Sequence, residues 1–110
     1  MKAAVFKGAG LPMQIEEIAD PTPGERQLVV QVAYCGICGT DLHSTREGPA
    51  MLPCNSILGH EFVGEVVELG AGAAKKYGID LGDMASAEQI LPCWQCRYCL
   101  NGHYWMCQQA

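Results

Sequence analysis

Cys93-x2-Cys96-x2-Cys99-x7-Cys107 puts four thiols within fifteen residues. Zinc takes four thiolates tetrahedrally, and a closed four-thiolate set is a structural site. The metal organises a loop that has little core of its own to bury. An iron–sulfur run of the bacterial ferredoxin type would continue x3-Cys-Pro, whereas here the fourth thiol follows x7 and precedes Gln108. A zinc deaminase would pair Pro92-Cys93-x2-Cys96 with His-x-Glu, but His60 and Glu61 are adjacent. Arg97 and the amides between the thiols are candidate donors to the sulfurs.

A second constellation lies upstream, in Cys38-Gly39-Thr40-Asp41-Leu42-His43 and Gly59-His60-Glu61. Cys38 and His60 form a thiolate–imidazole pair, the mixed set of a catalytic zinc that keeps one position open. Asp41 can orient the His60 imidazole. Thr40 and His43 are suited to pass a proton from a metal-bound hydroxyl to water. Glu61 follows His60 directly and would face the opposite side if both lay in one strand, so the chain is expected to supply two firm ligands. Cys54, six positions before His60, is a conceivable substitute. Cys35-Gly-Ile-Cys38 also has thioredoxin-type spacing, but no βαβ pattern surrounds it. Cys35 and Cys54 read otherwise as small buried apolar residues, and His103 as exposed loop.

Such side chains need elements to hold them. Ala3–Lys7 and Met13–Ala19 read as strands separated by a turn at Gly8–Pro12, and Pro21-Thr22-Pro23-Gly24 is a break. Gln27–Tyr34 and Phe62–Leu69 are β-branched and apolar, with Gly64 marking a bulge or a close backbone approach. Cys38–Glu47 is predicted as a short helix starting near Thr40 or Asp41, and Gly82–Glu88 as a weaker strand. From Leu91 onward the pattern becomes a cysteine-studded loop. Gly70-Ala-Gly72-Ala-Ala-Lys75 follows a strand, yet it ends in Lys where a dinucleotide fingerprint needs Gly or Ala, and no convincing helix continues it. It reads as a surface turn.

The chain has 110 residues, enough for one domain, with net charge −5 and no basic stripe beyond Lys75-Lys76, which argues against nucleic acid. No apolar run is long enough for a spanning helix, and Lys7 interrupts the first apolar stretch, so neither a membrane partner nor a secretory signal is expected. Seven clustered cysteines without an export signal point to metal chemistry in a reducing, cytoplasmic compartment.

Gly36-Ile37-Cys38-Gly39-Thr40-Asp41-Leu42-His43, then Gly59-His60-Glu61, Gly82-Asp83, Glu88 and the four-cysteine lobe resemble, in order and spacing, the zinc-dependent medium-chain alcohol and polyol dehydrogenases. The resemblance implies a mainly β fold: a GroES-like, partly open β-barrel with short helices and a four-cysteine zinc lobe at about 91–108, all of 1–110 being one domain. It implies that Cys38 and His60 ligate a catalytic zinc and that Glu61 lies against the metal as an occasional ligand or neighbour. Thr40 and His43 would form the proton relay, and Cys93, Cys96, Cys99 and Cys107 would hold a structural zinc. The implied reaction oxidises a small-molecule alcohol or polyol to a carbonyl, with hydride passing to NAD or NADP. Family members continue into a Rossmann domain that 1–110 lacks, and their usual third zinc ligand lies further downstream. Alone, these residues are therefore expected to be inactive. Gly39 stands where some liver-type relatives carry a basic residue that contacts cofactor phosphate. The resemblance leaves the alcohol, the nucleotide and homo-oligomer formation open. The rival reading is a non-enzymatic GroES-like zinc-binding or assembly module, which would have no need of Cys38 with His60.

Overall fold

Apolar residues at alternate positions of Lys2–Val5 turn Ala3 and Val5 inward and make β1, which pairs antiparallel with β2 (Gln14–Glu17). A computed structural model describes residues 1–47 and 52–109. On its other side, the end of β1 is strapped to the segment around Ile57. Phe6 N donates to Ser56 O at 2.8 Å, Asn55 N donates to Phe6 O at 2.7 Å, and Val5 bridges Ile57. This strap leads the chain directly into Gly59-His60.

A second sheet has the order β3–β4–β5, with β3 Leu28–Gly36, β4 Glu61–Leu69 and β5 Met84–Ala85, all antiparallel. Leu28 faces Leu69 at one end of the β3–β4 ladder and Gly36 faces Glu61 at the other. The register shifts twice, leaving Ala33 extra in β3 and Val67 extra in β4. Opposite the first of these lies Gly64, where a Cβ would stand 2.2 Å from Gln31 O, so only glycine lets the two backbones approach. The expected bulge or close approach at Gly64 is present in both senses. The two sheets do not close on one another among the described residues, as in a partly open barrel.

Helix α1 (Gly39–Glu47) follows β3 after two residues. It is largely polar with only Ser44 buried, so its start depends on local hydrogen bonds more than on an apolar face. The Cys38 amide donates to Asp41 Oδ2 at 2.9 Å, half of a capping box. At its other end Gly10 N donates to Thr45 O at 2.8 Å, tying the helix to the β1–β2 turn.

Three expectations change. The Gly82–Glu88 strand contracts to Met84–Ala85, because its pairing with β4 ends at Gly64, opposite the bulge in β3. The Gly70–Lys75 turn continues into a five-residue helix α2 (Ala73–Tyr77), since Ala73 is fully buried and Gly78 caps the end on Ala74 O. That is still too short for a dinucleotide-binding helix. The cysteine loop holds α3 (Arg97–Leu100) and a 3₁₀ turn, Tyr104–Met106. The core is small: Ala3, Val5, Phe6, Val66 and Ala73 are buried, while Ile37 and Leu91 are each more than 80% exposed. Among the described residues, no helix is long and apolar enough to cross a membrane.

Candidate metal centres

The end of the β3–β4 ladder and the start of α1 converge on one point. Cys38 leaves β3, His60 precedes β4 and Glu61 opens it, and one ligand atom from each lies within 4.8 Å of the others. Asp41 ties two of them together. Its Oδ2 takes the Cys38 amide while its Oδ1 lies 3.5 Å from His60 Nδ1, at ion-pair distance. The Cys38 thiol approaches Thr40 Oγ1 at 3.6 Å. His43 stands three residues further along α1, on the same helix face as Thr40 and exposed. A thiolate, an imidazole and a carboxylate grouped with a free side form the donor set of an open zinc site. Beside it opens a cleft of about 500 Å³ with Phe62, Val63, Ser86 and Glu88 in its walls.

The four-cysteine loop forms a second centre, its sulfurs all within 4.8 Å of one another. Tetrahedral zinc with bonds of ~2.3 Å needs sulfur–sulfur edges of ~3.8 Å. The Cys93–Cys99 and Cys96–Cys99 separations are 3.9 and 3.5 Å. Trp94 takes a left-handed turn, φ 57°, that brings the Cys96 amide onto Cys93 Sγ at 3.3 Å. The Cys93 and Gln109 amides both donate to Cys107 Sγ at 3.3 Å. Amide donation favours the thiolate. The Cys99 amide, then that of Gln108, holds Cys96 down to about 6, and the Cys93 amide, then that of Gln109, lowers Cys107. Cys99 lies deepest, and burial, then its bond with Cys96, pushes its thiol up to about 12. The donor set and edges fit a closed tetrahedral zinc.

Residues 24–110 match the profile of the family described as the alcohol dehydrogenase GroES-like domain. The chain belongs to that family. This GroES-like domain is 40% identical to the erythritol/L-threitol dehydrogenase of Mycolicibacterium smegmatis, over 98% of the chain and 32% of the relative. Its fold matches a cobalt- and zinc-bound thermostable alcohol dehydrogenase from Pyrobaculum aerophilum at TM-score 0.84 and 33% identity, over 98% of the chain and 32% of that structure. It also matches acetophenone reductase from Geotrichum candidum, in complex with NAD, at TM-score 0.81 and 31% identity, over 97% and 31%. The chain thus spans about a third of the length of these relatives.

Within this GroES-like domain the structure brings Cys38 and His60 together as expected, and with them Glu61, which the family resemblance set against the metal and strand alternation would have turned away. Strand alternation does not separate His60 from Glu61, because β4 begins only at Glu61 and Gly59, at φ 112°, turns the chain just before. Cys54 lies outside the cluster, on the exposed tip of a turn where the Ser56 hydroxyl donates to Pro53 O at 2.7 Å. Cys35 is exposed too, since the second half of β3 is open to solvent, and its thiol points to Gly36 O at 3.6 Å. The burial expected of both is absent. Arg97 donates to the Tyr98 hydroxyl at 2.8 Å and stacks on that ring, so its guanidinium is engaged away from the sulfurs. His103 is exposed, as expected of a loop residue. Sequence reasoning missed Gly36 as the neighbour of Glu61, for which the only available signal was its place two residues before Cys38.

Proposed function

We propose that this domain is the metal-bearing part of a zinc-dependent, NAD(P)-linked dehydrogenase of small alcohols or polyols. The observation that carries the reading is the convergence of Cys38, His60 and Glu61 beside an open cleft. A purely structural module needs the closed four-thiolate set only. Zinc bound to the mixed set supplies Lewis-acid polarisation that lowers an alcohol's pKa. Asp41 keeps the helix start and the imidazole in place. The Thr40 hydroxyl, beside the Cys38 thiol, accepts the substrate proton, and His43 hands it to solvent. Cys93, Cys96, Cys99 and Cys107 hold a second, structural zinc. The polyol and alcohol dehydrogenases among the relatives, one with zinc, and the reductase with NAD support this assignment.

Residues 1–110 form one GroES-like domain with its lobe at about 91–108. Among the described residues none forms a Rossmann unit, so the nucleotide needs a dinucleotide fold outside this range, and the isolated residues are inactive. The reducing cytoplasm suits seven free cysteines. The partners are a small alcohol or polyol, without nucleic acid or membrane, and association with further copies is compatible with this site. The test uses the protein at its native length. Metal analysis should give about two zinc ions per chain, one per centre, with NAD(P)H formation from four- to six-carbon polyols or simple alcohols. Thr40→Val should cut turnover at least about tenfold with zinc content unchanged. One zinc per chain and no hydride transfer with any alcohol would leave a structural module.

A further inference from the structure

Gly36 and Glu61 face each other where β3 and β4 end. There the Glu61 side chain folds across the Gly36 backbone. A methyl group on Gly36 would stand 2.7 Å from Glu61 Oε2 and 3.3 Å from Glu61 Cβ. The first contact is far inside van der Waals distance, but the atom met is the free end of a flexible side chain. The carboxylate would therefore swing away and leave the strands in register. Gly36 does not have a positive φ, so alanine fits its backbone. The same carboxylate stands with Cys38 and His60. Within this cluster the carboxylate oxygen 3.5 Å from His60 Nδ1 is that of Asp41, not of Glu61. Cys38 and His60 are thus both tied to Asp41, and the Glu61 carboxylate lies in the space that a side chain on Gly36 would occupy.

We infer that Gly36 is a positioning residue, whose missing side chain lets the Glu61 carboxylate lie at the metal centre. This inference rests on Cys38, His60 and Glu61 being a metal site. A side chain at 36 would convert a three-donor set into a two-donor set without altering any ligand. Loss of a group that supports or completes a metal site costs about 10–100-fold in affinity, and a swung carboxylate belongs at the lower end of that range.

The experiment compares wild type, Gly36→Ala, Glu61→Ala and the double variant in the native-length protein. Chelator competition reads the zinc affinity of the Cys38 centre, and the visible spectrum is taken with cobalt in that centre and zinc kept in the lobe. Gly36→Ala should weaken zinc binding about tenfold and shift the cobalt bands in the same direction as Glu61→Ala. In the Glu61→Ala background it should add nothing, because the group it displaces is gone. Equal losses in both backgrounds would show a backbone effect, and no loss in either would show free space at position 36; both overturn the inference. Should Gly36→Ala fail to fold, Glu61→Gln decides: a cobalt spectrum and zinc affinity identical to wild type remove the carboxylate from the metal and the inference with it. The wild-type arm separates the two levels of argument, since absence of any metal at Cys38 and His60 defeats the site itself.

Discussion

Asp41 serves two neighbours with one carboxylate, and its two oxygens can be separated by substitution. One accepts the Cys38 amide at the start of α1 and the other faces His60. Asparagine retains an acceptor oxygen for the amide but loses the charge, whereas alanine loses both. Asp41→Ala should therefore cost about 1 kcal/mol of stability through the lost cap, and Asp41→Asn much less. Both should weaken zinc at the Cys38 centre by about tenfold or more, because the imidazole loses the partner that orients it. Urea denaturation reads the first effect and chelator competition the second. If Asp41→Asn held zinc as tightly as wild type, the carboxylate would be a helix cap alone.

The elements matter here because β3 and β4 carry ligands at their ends, and their register decides where those ends meet. The register depends on the bulge opposite Gly64, where the Gln31 carbonyl occupies the space a side chain would need. Backbone, unlike the tip of a side chain, has nowhere to go. Gly64→Ala should consequently destabilise the domain by about 1–3 kcal/mol, the usual range for overpacking a tight site, and should weaken metal binding at Cys38 by shifting Gly36 against Glu61. A lower urea midpoint together with lost zinc affinity is the expected result. A normal midpoint would mean that the ladder relaxes at that point and the ligands do not depend on it.

At the scale of the molecule, the lobe and the sheets are stabilised by different means. The sheets bury Val5, Phe6 and Val66, whereas the lobe holds four clustered sulfurs and contacts between its own largely exposed aromatics, Trp94 with Tyr104 and Tyr104 with Trp105. Removing the lobe metal should therefore unfold residues 91–108 and spare β3 and β4. Acid is one way to remove it, and the direction follows from the thiols. Near neutral pH the Cys96 thiol, held down to about 6, is largely ionised without metal, while Cys99, pushed up to about 12, keeps its proton. Metal binding must displace the Cys99 proton, so affinity falls as pH falls, and more steeply below about 6, where Cys96 also takes one up. Hydrogen exchange at pH 5 with a chelator present should show lost protection in the lobe and retained protection in β3 and β4. Cys99→Ser should reproduce this pattern at neutral pH. Simultaneous loss in both regions would make the lobe zinc a support of the whole domain.

What the sequence by itself determined is what local chemistry can encode. Four thiols within one short loop can meet wherever the rest of the chain goes, so the lobe was legible from Cys93 to Cys107. Apolar alternation and β-branching marked β1 to β4 to within a few residues, and Gly64 announced its bulge because glycine in a strand has few other uses. The tertiary structure alone decided matters that depend on distant backbone. Glu61 joins Cys38 and His60 because the strap along β1, the turn at Gly59 and the β3–β4 register place it there, and no local rule about strand faces could foresee that. Cys35 and Cys54 lie open because the sheet around them is not closed and the turn projects outward, although their residue type prefers burial. Arg97 found an aromatic neighbour instead of a sulfur, and β5 stopped at a bulge on a strand well upstream. Residue type says which chemistry a side chain can do, but its reach is set by backbone pairing between segments that are remote in the chain.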